Sequence, residues 1–138
     1  MTPILSIAEV NTYLGEVFPQ LSGDYVCTAL GPGTASVQLT AREQHLRPGG
    51  TVSGPTMFGL ADCGFYMALI GHIGRVPLAV TTGATIDFMR KPAPGDMRAE
   101  VRILKLGRVL AVGDVLLYSD GVEAPVGRAS LTYSVPPR

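Results

Sequence analysis

The sequence predicts an α+β fold, in which one curved antiparallel sheet wraps around a single long helix and a short helix precedes it. Three observations carry that prediction. Residues 55–71 run nearly apolar, directly after a helix-start signal, Ser53-Gly54-Pro55. The last third of the chain alternates apolar and polar residues with the period of strands. A helix that is apolar on every side needs cover on every side, and a wrapping sheet is the economical way to supply it.

The elements follow in order. Residues 6–18 carry Ile7, Val10, Leu14, Val17 and Phe18 at helical spacing, with Ser6 and Glu9 placed as a capping box. Pro19 is expected to end that helix. Residues 24–30 and 34–41 read as strands joined by a turn at Gly31-Pro32-Gly33. In the second of them Ala35, Val37 and Leu39 alternate with Ser36, Gln38 and Thr40. His45 to Thr51 is a loop, because Pro48-Gly49-Gly50 excludes regular structure. The long helix runs from about Gly54 to about His72. Pro55 suits its first turn, where a missing N–H costs nothing, and Gly71 and Gly74 bracket its end. Residues 79–90, 97–106, 108–118 and 126–135 are strands expected to follow one another as an antiparallel meander. The last of them sets Ala129, Leu131, Tyr133 and Val135 against Arg128, Ser130, Thr132 and Ser134.

Composition bounds the function classes. The 138 residues suit one domain, 1–138, with no repeat, linker or low-complexity segment. Eleven basic and eleven acidic residues cancel, which leaves no net electrostatic footprint for nucleic acid. An apolar content of 46% in so small a chain points to a buried subunit interface. The N-terminus lacks a basic segment and a cleavage site, so no signal peptide is expected. Two cysteines make neither a disulfide framework nor a metal set, and a cytoplasmic setting is the default. Residues 55–71 are expected to be buried rather than membrane-spanning, since a mid-bilayer Asp62 costs roughly 2.5–3.5 kcal/mol. His45 and His72 have no ligand spacing, and no metal or cofactor is expected. Cys63 reads as a small core residue. Met57, Phe58, Phe65, Met67 and Leu69 read as core or interface.

Asp62 is the one charge in the apolar run. Its neighbours offer no ion-pair partner, and an unpaired buried carboxylate is costly. Gly59 and Gly64 weaken the helix by about 1 kcal/mol each relative to alanine, which fits close approach by another group. The helix start offers a second element, because free N–H groups and the positive dipole end suit a developing oxyanion. Gly54 and Asp62 are eight residues apart, about 12 Å along a helix. One ester or thioester carbonyl cannot touch both. If both elements act in one site, they come from two copies of the helix, which predicts a symmetric dimer with two equivalent sites.

The span from His45 to Asp62, HLRPGGTVSGPTMFGLAD, resembles the central motif of the hotdog-fold acyl-CoA thioesterases, specifically the phenylacetic-acid-pathway (PaaI-like) type. Gly50, Gly54, Leu60 and Asp62 match the family pattern. The segments Ile86–Asp96, Leu106-Gly107-Arg108-Val109 and Ala129–Tyr133 are similar to its later strands and loops. Three positions depart from the pattern: the family Asn falls on Arg47, the His on Ser53 and the second Gly on Pro55. The resemblance implies a hotdog fold, pairing into homodimers and often homotetramers, and hydrolysis of an acyl- or aryl-CoA thioester to free acid and CoA. It implies Asp62 as general base or nucleophile and the Gly54 N–H, from the partner subunit, as oxyanion donor. A strand Ser or Thr often assists the water, and Thr81 fits that place better than Thr82. Arg47 is placed either to polarise the carbonyl or to pair with Asp62. Ser53 either replaces a polar contact or caps the helix. Arg90, Lys91 and Arg108 are candidates for the CoA phosphates. The departures leave a second reading, a non-catalytic acyl-CoA binding or sensor module. A hotdog hydratase would want a histidine beside the carboxylate, and none follows Asp62 at a useful spacing.

Overall fold

The computed structural model describes residues 1–137. Helix α1 (Ile7–Val17) starts at Ser6, whose hydroxyl accepts from the Glu9 N–H at 3.1 Å while the Glu9 carboxylate accepts from the Ser6 N–H at 2.9 Å. This is the capping box expected from the sequence. Pro19 breaks the helix but also opens a short second one, α2 (Pro19–Ser22). Strands β1 (Tyr25–Gly31) and β2 (Thr34–Leu39) form a hairpin. A 3-10 turn (Glu43–His45) leads to helix α3 (Gly54–Ile73). Strands β3 (Val80–Phe88), β4 (Met97–Leu106), β5 (Leu110–Ser119) and β6 (Gly127–Ser134) complete the chain.

The six strands form one antiparallel sheet in the order β1-β2-β4-β5-β6-β3. The expected meander holds only for β4, β5 and β6. Strand β3 skips its sequence neighbour β4 and pairs with β6 at the far edge. Being an edge strand, it buries neither face cleanly: Val80 and Phe88 stay more than half exposed, and only Thr81 and Ile86 are half-buried. Strand ends differ from the expected bounds by at most two residues, as at 34–41, where pairing stops at Leu39.

Helix α3 lies in the concave face of the sheet, against β2, β4 and β5. It is long and apolar enough to cross a bilayer, but 72% of its apolar window is buried inside the fold. Leu60, Phe65, Met67, Leu69 and Ile70 are fully covered. His72 ties the helix end to the β1–β2 turn: its Nδ1 lies 2.7 Å from the Ala68 carbonyl, and its Nε2 accepts from the Gly33 N–H at 2.9 Å. Two glycines let helix and sheet touch. Gly64 faces Ala99 and Val101, so its lack of a side chain serves core packing rather than ligand access. At Gly113, in β5, a β-carbon would collide with the Arg102 carbonyl oxygen and the Phe65 ring. Gly113→Ala is therefore expected to destabilise the fold by about 1–3 kcal/mol, towards the upper end because backbone cannot yield. Denaturant unfolding of the variant measures this, and a loss below 0.5 kcal/mol, the size of an ordinary surface substitution, would contradict the packing.

Candidate active site

Asp62 sits half-buried on α3, facing the junction of β6 and the edge strand β3. Thr81 and Tyr133 are register partners across the β3–β6 ladder, so their side chains leave the sheet side by side. Both reach the same carboxylate oxygen. The Thr81 hydroxyl donates to Asp62 Oδ1 at 2.6 Å, and the Tyr133 hydroxyl lies 2.6 Å from Oδ1 and 3.0 Å from the Asp62 carbonyl oxygen. Among the described residues Oδ2 carries no hydrogen bond, so it is the oxygen left for chemistry. Thr82 points away, its hydroxyl 3.4 Å from the Thr132 carbonyl. Strand alternation separates the two threonines.

A groove of about 470 Å³ opens beside Asp62. Its lining includes Tyr25, Gly59, Cys63 and Tyr66, Pro77, Val80 and Thr81, and Val17, Phe18 and Leu21 from in and between the two N-terminal helices. Burial, and then the Asp62 charge, push the Tyr133 hydroxyl far above the ordinary tyrosine range, which keeps it a neutral donor. Burial likewise pushes the Cys63 thiol up, in agreement with its reading as a core residue rather than a nucleophile. Tyr25 is pushed up to about 12, chiefly by burial. The two tyrosine shifts have a stability consequence. A folded pKa raised above the unfolded value near 10 contributes stability that is present below pH 10 and lost as pH rises beyond it. The protein is expected to lose stability steeply between pH 10 and 12, and Tyr133→Phe to flatten that fall. A melting temperature independent of pH across this window would refute the coupling.

The start of α3 lies in a second groove, of about 490 Å³, with Arg47, Gly54, Phe88, Arg90 and Lys91 among its walls. The four leading N–H positions of the helix can be accounted for one by one. Pro55 has none. Thr56 donates to the Ser53 hydroxyl at 3.3 Å, and Met57 to the Ser53 carbonyl at 3.0 Å. Only the Gly54 N–H has no acceptor among the described residues. Ser53 acts as N-cap here, and its hydroxyl also donates to Thr56 Oγ1 at 3.0 Å. Arg47 closes a tight loop, its N–H on the Thr51 carbonyl at 2.9 Å. That loop hangs from buried His45, whose carbonyl accepts from the Ser53 N–H. The His45 ring accepts from the Arg42 N–H at 2.9 Å and meets Asp24 at 3.3 Å.

The structure thus divides the residues singled out from the sequence. Asp62 and Thr81 share one groove. Arg47, Ser53, Gly54, Arg90 and Lys91 gather at or beside the other. Arg47 and Asp62 line different grooves, so the structure shows no pairing between them within one chain. Arg108 lines neither groove: it lies in the β4–β5 turn, at the opposite end of the sheet from Arg90 and Lys91, because β5 and β3 are both antiparallel to β6. Tyr133 and Tyr25 were not among the predicted site residues. Alternation placed Tyr133 on the buried face of its strand, but nothing local showed that Asp62, 71 residues earlier, would meet it.

A long helix wrapped by a curved antiparallel sheet is the hotdog architecture, here with a carboxylate on the helix and an open N–H at its start. The chain belongs to the thioesterase superfamily, whose family model matches residues 49–126, more than half of the chain. It is similar to a provisionally named thioesterase of known structure from Silicibacter, with a TM-score of 0.93, 53% identity, and coverage of 99% of this chain and 96% of that one. It is also similar to the phenylacetic acid degradation protein PaaI of Thermus thermophilus, with a TM-score of 0.71 and 28% identity over 86% of this chain and 99% of that one. A provisionally named esterase of Pseudomonas aeruginosa is 30% identical over 84% of this chain and 86% of its own length. These findings support the hydrolysis of thioesters in general and agree with the PaaI-like resemblance.

Proposed function

We propose that the protein hydrolyses acyl-CoA thioesters at two equivalent sites, each shared between the subunits of a homodimer. The observation that carries this is the division of one helix between two grooves, with the free Gly54 N–H in one and the free Asp62 Oδ2 in the other. Strand β3 spans the two grooves, with Thr81 near its start and Phe88, packed 3.5 Å from where a Gly54 side chain would begin, at its end. It is also an uncovered edge with exposed apolar residues, which favours pairing with another strand. Antiparallel pairing of two β3 strands about a two-fold axis sets the Asp62 end of one chain beside the Gly54 end of the other. The same pairing brings Arg108 to the sheet end that holds Arg90 and Lys91 of the partner subunit, so the three cations face one CoA.

In this reading the thioester carbonyl oxygen accepts from the Gly54 N–H of the partner subunit. Thr81 and Tyr133 hold Asp62 Oδ1, which aims Oδ2 at the carbonyl carbon. Asp62 takes a proton from water as the water oxygen attacks, or attacks directly to form an anhydride that water then opens. The C–S bond breaks, and CoA leaves as thiolate and is then protonated. Arg47 either supports the carbonyl or meets CoA with Arg90 and Lys91.

Free-thiol release from a panel of acyl- and aryl-CoAs tests the chemistry, with turnover of at least one member expected. Tight binding of CoA esters without thiol release would instead support the binding-module reading, which the loss of a second donor at Pro55 motivates. Sedimentation at micromolar concentration tests the assembly, and a monomer there would contradict the shared site.

A further inference from the structure

Three tyrosines line the Asp62 groove, and two of them have spent their hydroxyls. Tyr133 serves Asp62, and Tyr66 donates to the Pro77 carbonyl at 3.2 Å. Tyr25 is different. The residue as a whole is only 6% exposed, but it lines the groove, and its hydroxyl is open to the groove and makes no hydrogen bond among the described residues. The hydroxyl stands over Gly59, where a β-carbon would lie 3.0 Å from it. Gly59 precedes Asp62 by three residues, so the two share a helix face about 4.5 Å apart along the axis. Burial keeps the phenol protonated, and so a donor, at any physiological pH. The groove wall around it is mostly apolar, with Phe18, Leu21, Pro77 and Val80. No buried side-chain oxygen among the described residues lacks a partner, so the Tyr25 hydroxyl is open to the groove, and binding pockets place a few such polar groups in apolar walls to select a ligand.

We infer that Tyr25 is a specificity-determining residue: its hydroxyl donates to an oxygen on the acyl chain, so that oxygen-bearing acyl groups are preferred over plain hydrocarbon ones. The inference rests on the reading that this groove receives the acyl part of a thioester. Gly59 belongs to the same device, since any side chain there would crowd the phenol.

The test compares hexanoyl-CoA with 3-hydroxyhexanoyl-CoA and 6-hydroxyhexanoyl-CoA. The native protein is expected to favour at least one hydroxylated member in kcat/KM by roughly 3- to 10-fold, the worth of one neutral hydrogen bond. Tyr25→Phe should bring that ratio close to one. A merely structural phenol would lower both rates alike and leave the ratio unchanged, which would overturn the inference. Gly59→Ala should also depress the ratio, with the fold checked by circular dichroism because the new β-carbon must displace the phenol. Dissociation constants for the same esters, measured by calorimetry on Asp62→Asn with and without Tyr25→Phe, separate the inference from its premise. A preference seen in binding without turnover in the native protein supports the Tyr25 role and overturns hydrolysis. Turnover with a native ratio near one overturns the Tyr25 role and leaves hydrolysis standing. Failure to bind any CoA ester overturns both.

Discussion

Asp62→Asn is expected to lower thiol release from the best acyl-CoA by roughly 10²- to 10⁴-fold, the worth of a positioned base. Asparagine has the same shape as aspartate, and its amide oxygen still accepts from Thr81 and Tyr133. What it lacks is a second oxygen able to take a proton from water or to attack carbon. The variant should therefore keep its fold and its dimer and lose turnover alone. Calorimetry should show affinity for the CoA ester within a few-fold of native, since no part of CoA is expected to touch Asp62. Retention of more than a tenth of the native rate, with the protein folded, would remove Asp62 from the chemistry.

The second large effect is complementation between two inactive variants. Gly54→Pro deletes the one free N–H at the start of α3, and loss of such a donor costs about 10²- to 10³-fold. Proline is tolerated in the first turn of a helix, although position 54 itself precedes Pro55, so circular dichroism must show that the variant keeps α3. Ser53 before it is already extended, at φ −75° and ψ 158°, as a residue preceding proline should be. Asp62→Asn and Gly54→Pro homodimers should both be nearly dead. Unfolded together and refolded in equal amounts, they should recover about a quarter of native activity, because half the dimers are mixed and each mixed dimer holds one intact site of two. If both groups acted within one chain, no mixture would recover anything. The two outcomes differ by more than an order of magnitude, and size-exclusion chromatography confirms that exchange occurred.

Much of the framework is local and was legible without coordinates. Ser6 and Glu9 cap α1 because their spacing alone satisfies its first N–H groups. Ser53, Pro55 and a nearly apolar run start α3 at Gly54 and bury it. Alternation in residues 127–134 puts Ala129, Leu131 and Tyr133 inward. The oddity of Asp62, a charge without a partner in its own helix, was visible in the sequence as well.

Strand order and convergence of side chains were not. Edge position depends on which strands pair, and pairing is settled by the whole sheet, so the exposed β3 could not be told from an interior strand by its own residues. Thr81, preferred over Thr82 in the sequence, has its contact with Asp62 through register with Tyr133. The free Gly54 N–H follows from counting where each neighbouring donor goes. Periodicity and caps are properties of a few adjacent residues, and the sequence determined the buried helix, its start and its lone carboxylate through them. Only the tertiary structure decided that Tyr133 would hold that carboxylate, that Tyr25 would overlook it with its hydroxyl unspent, and that Gly54 would open on a different groove. Those meetings depend on packing between segments tens of residues apart, and no local rule encodes them.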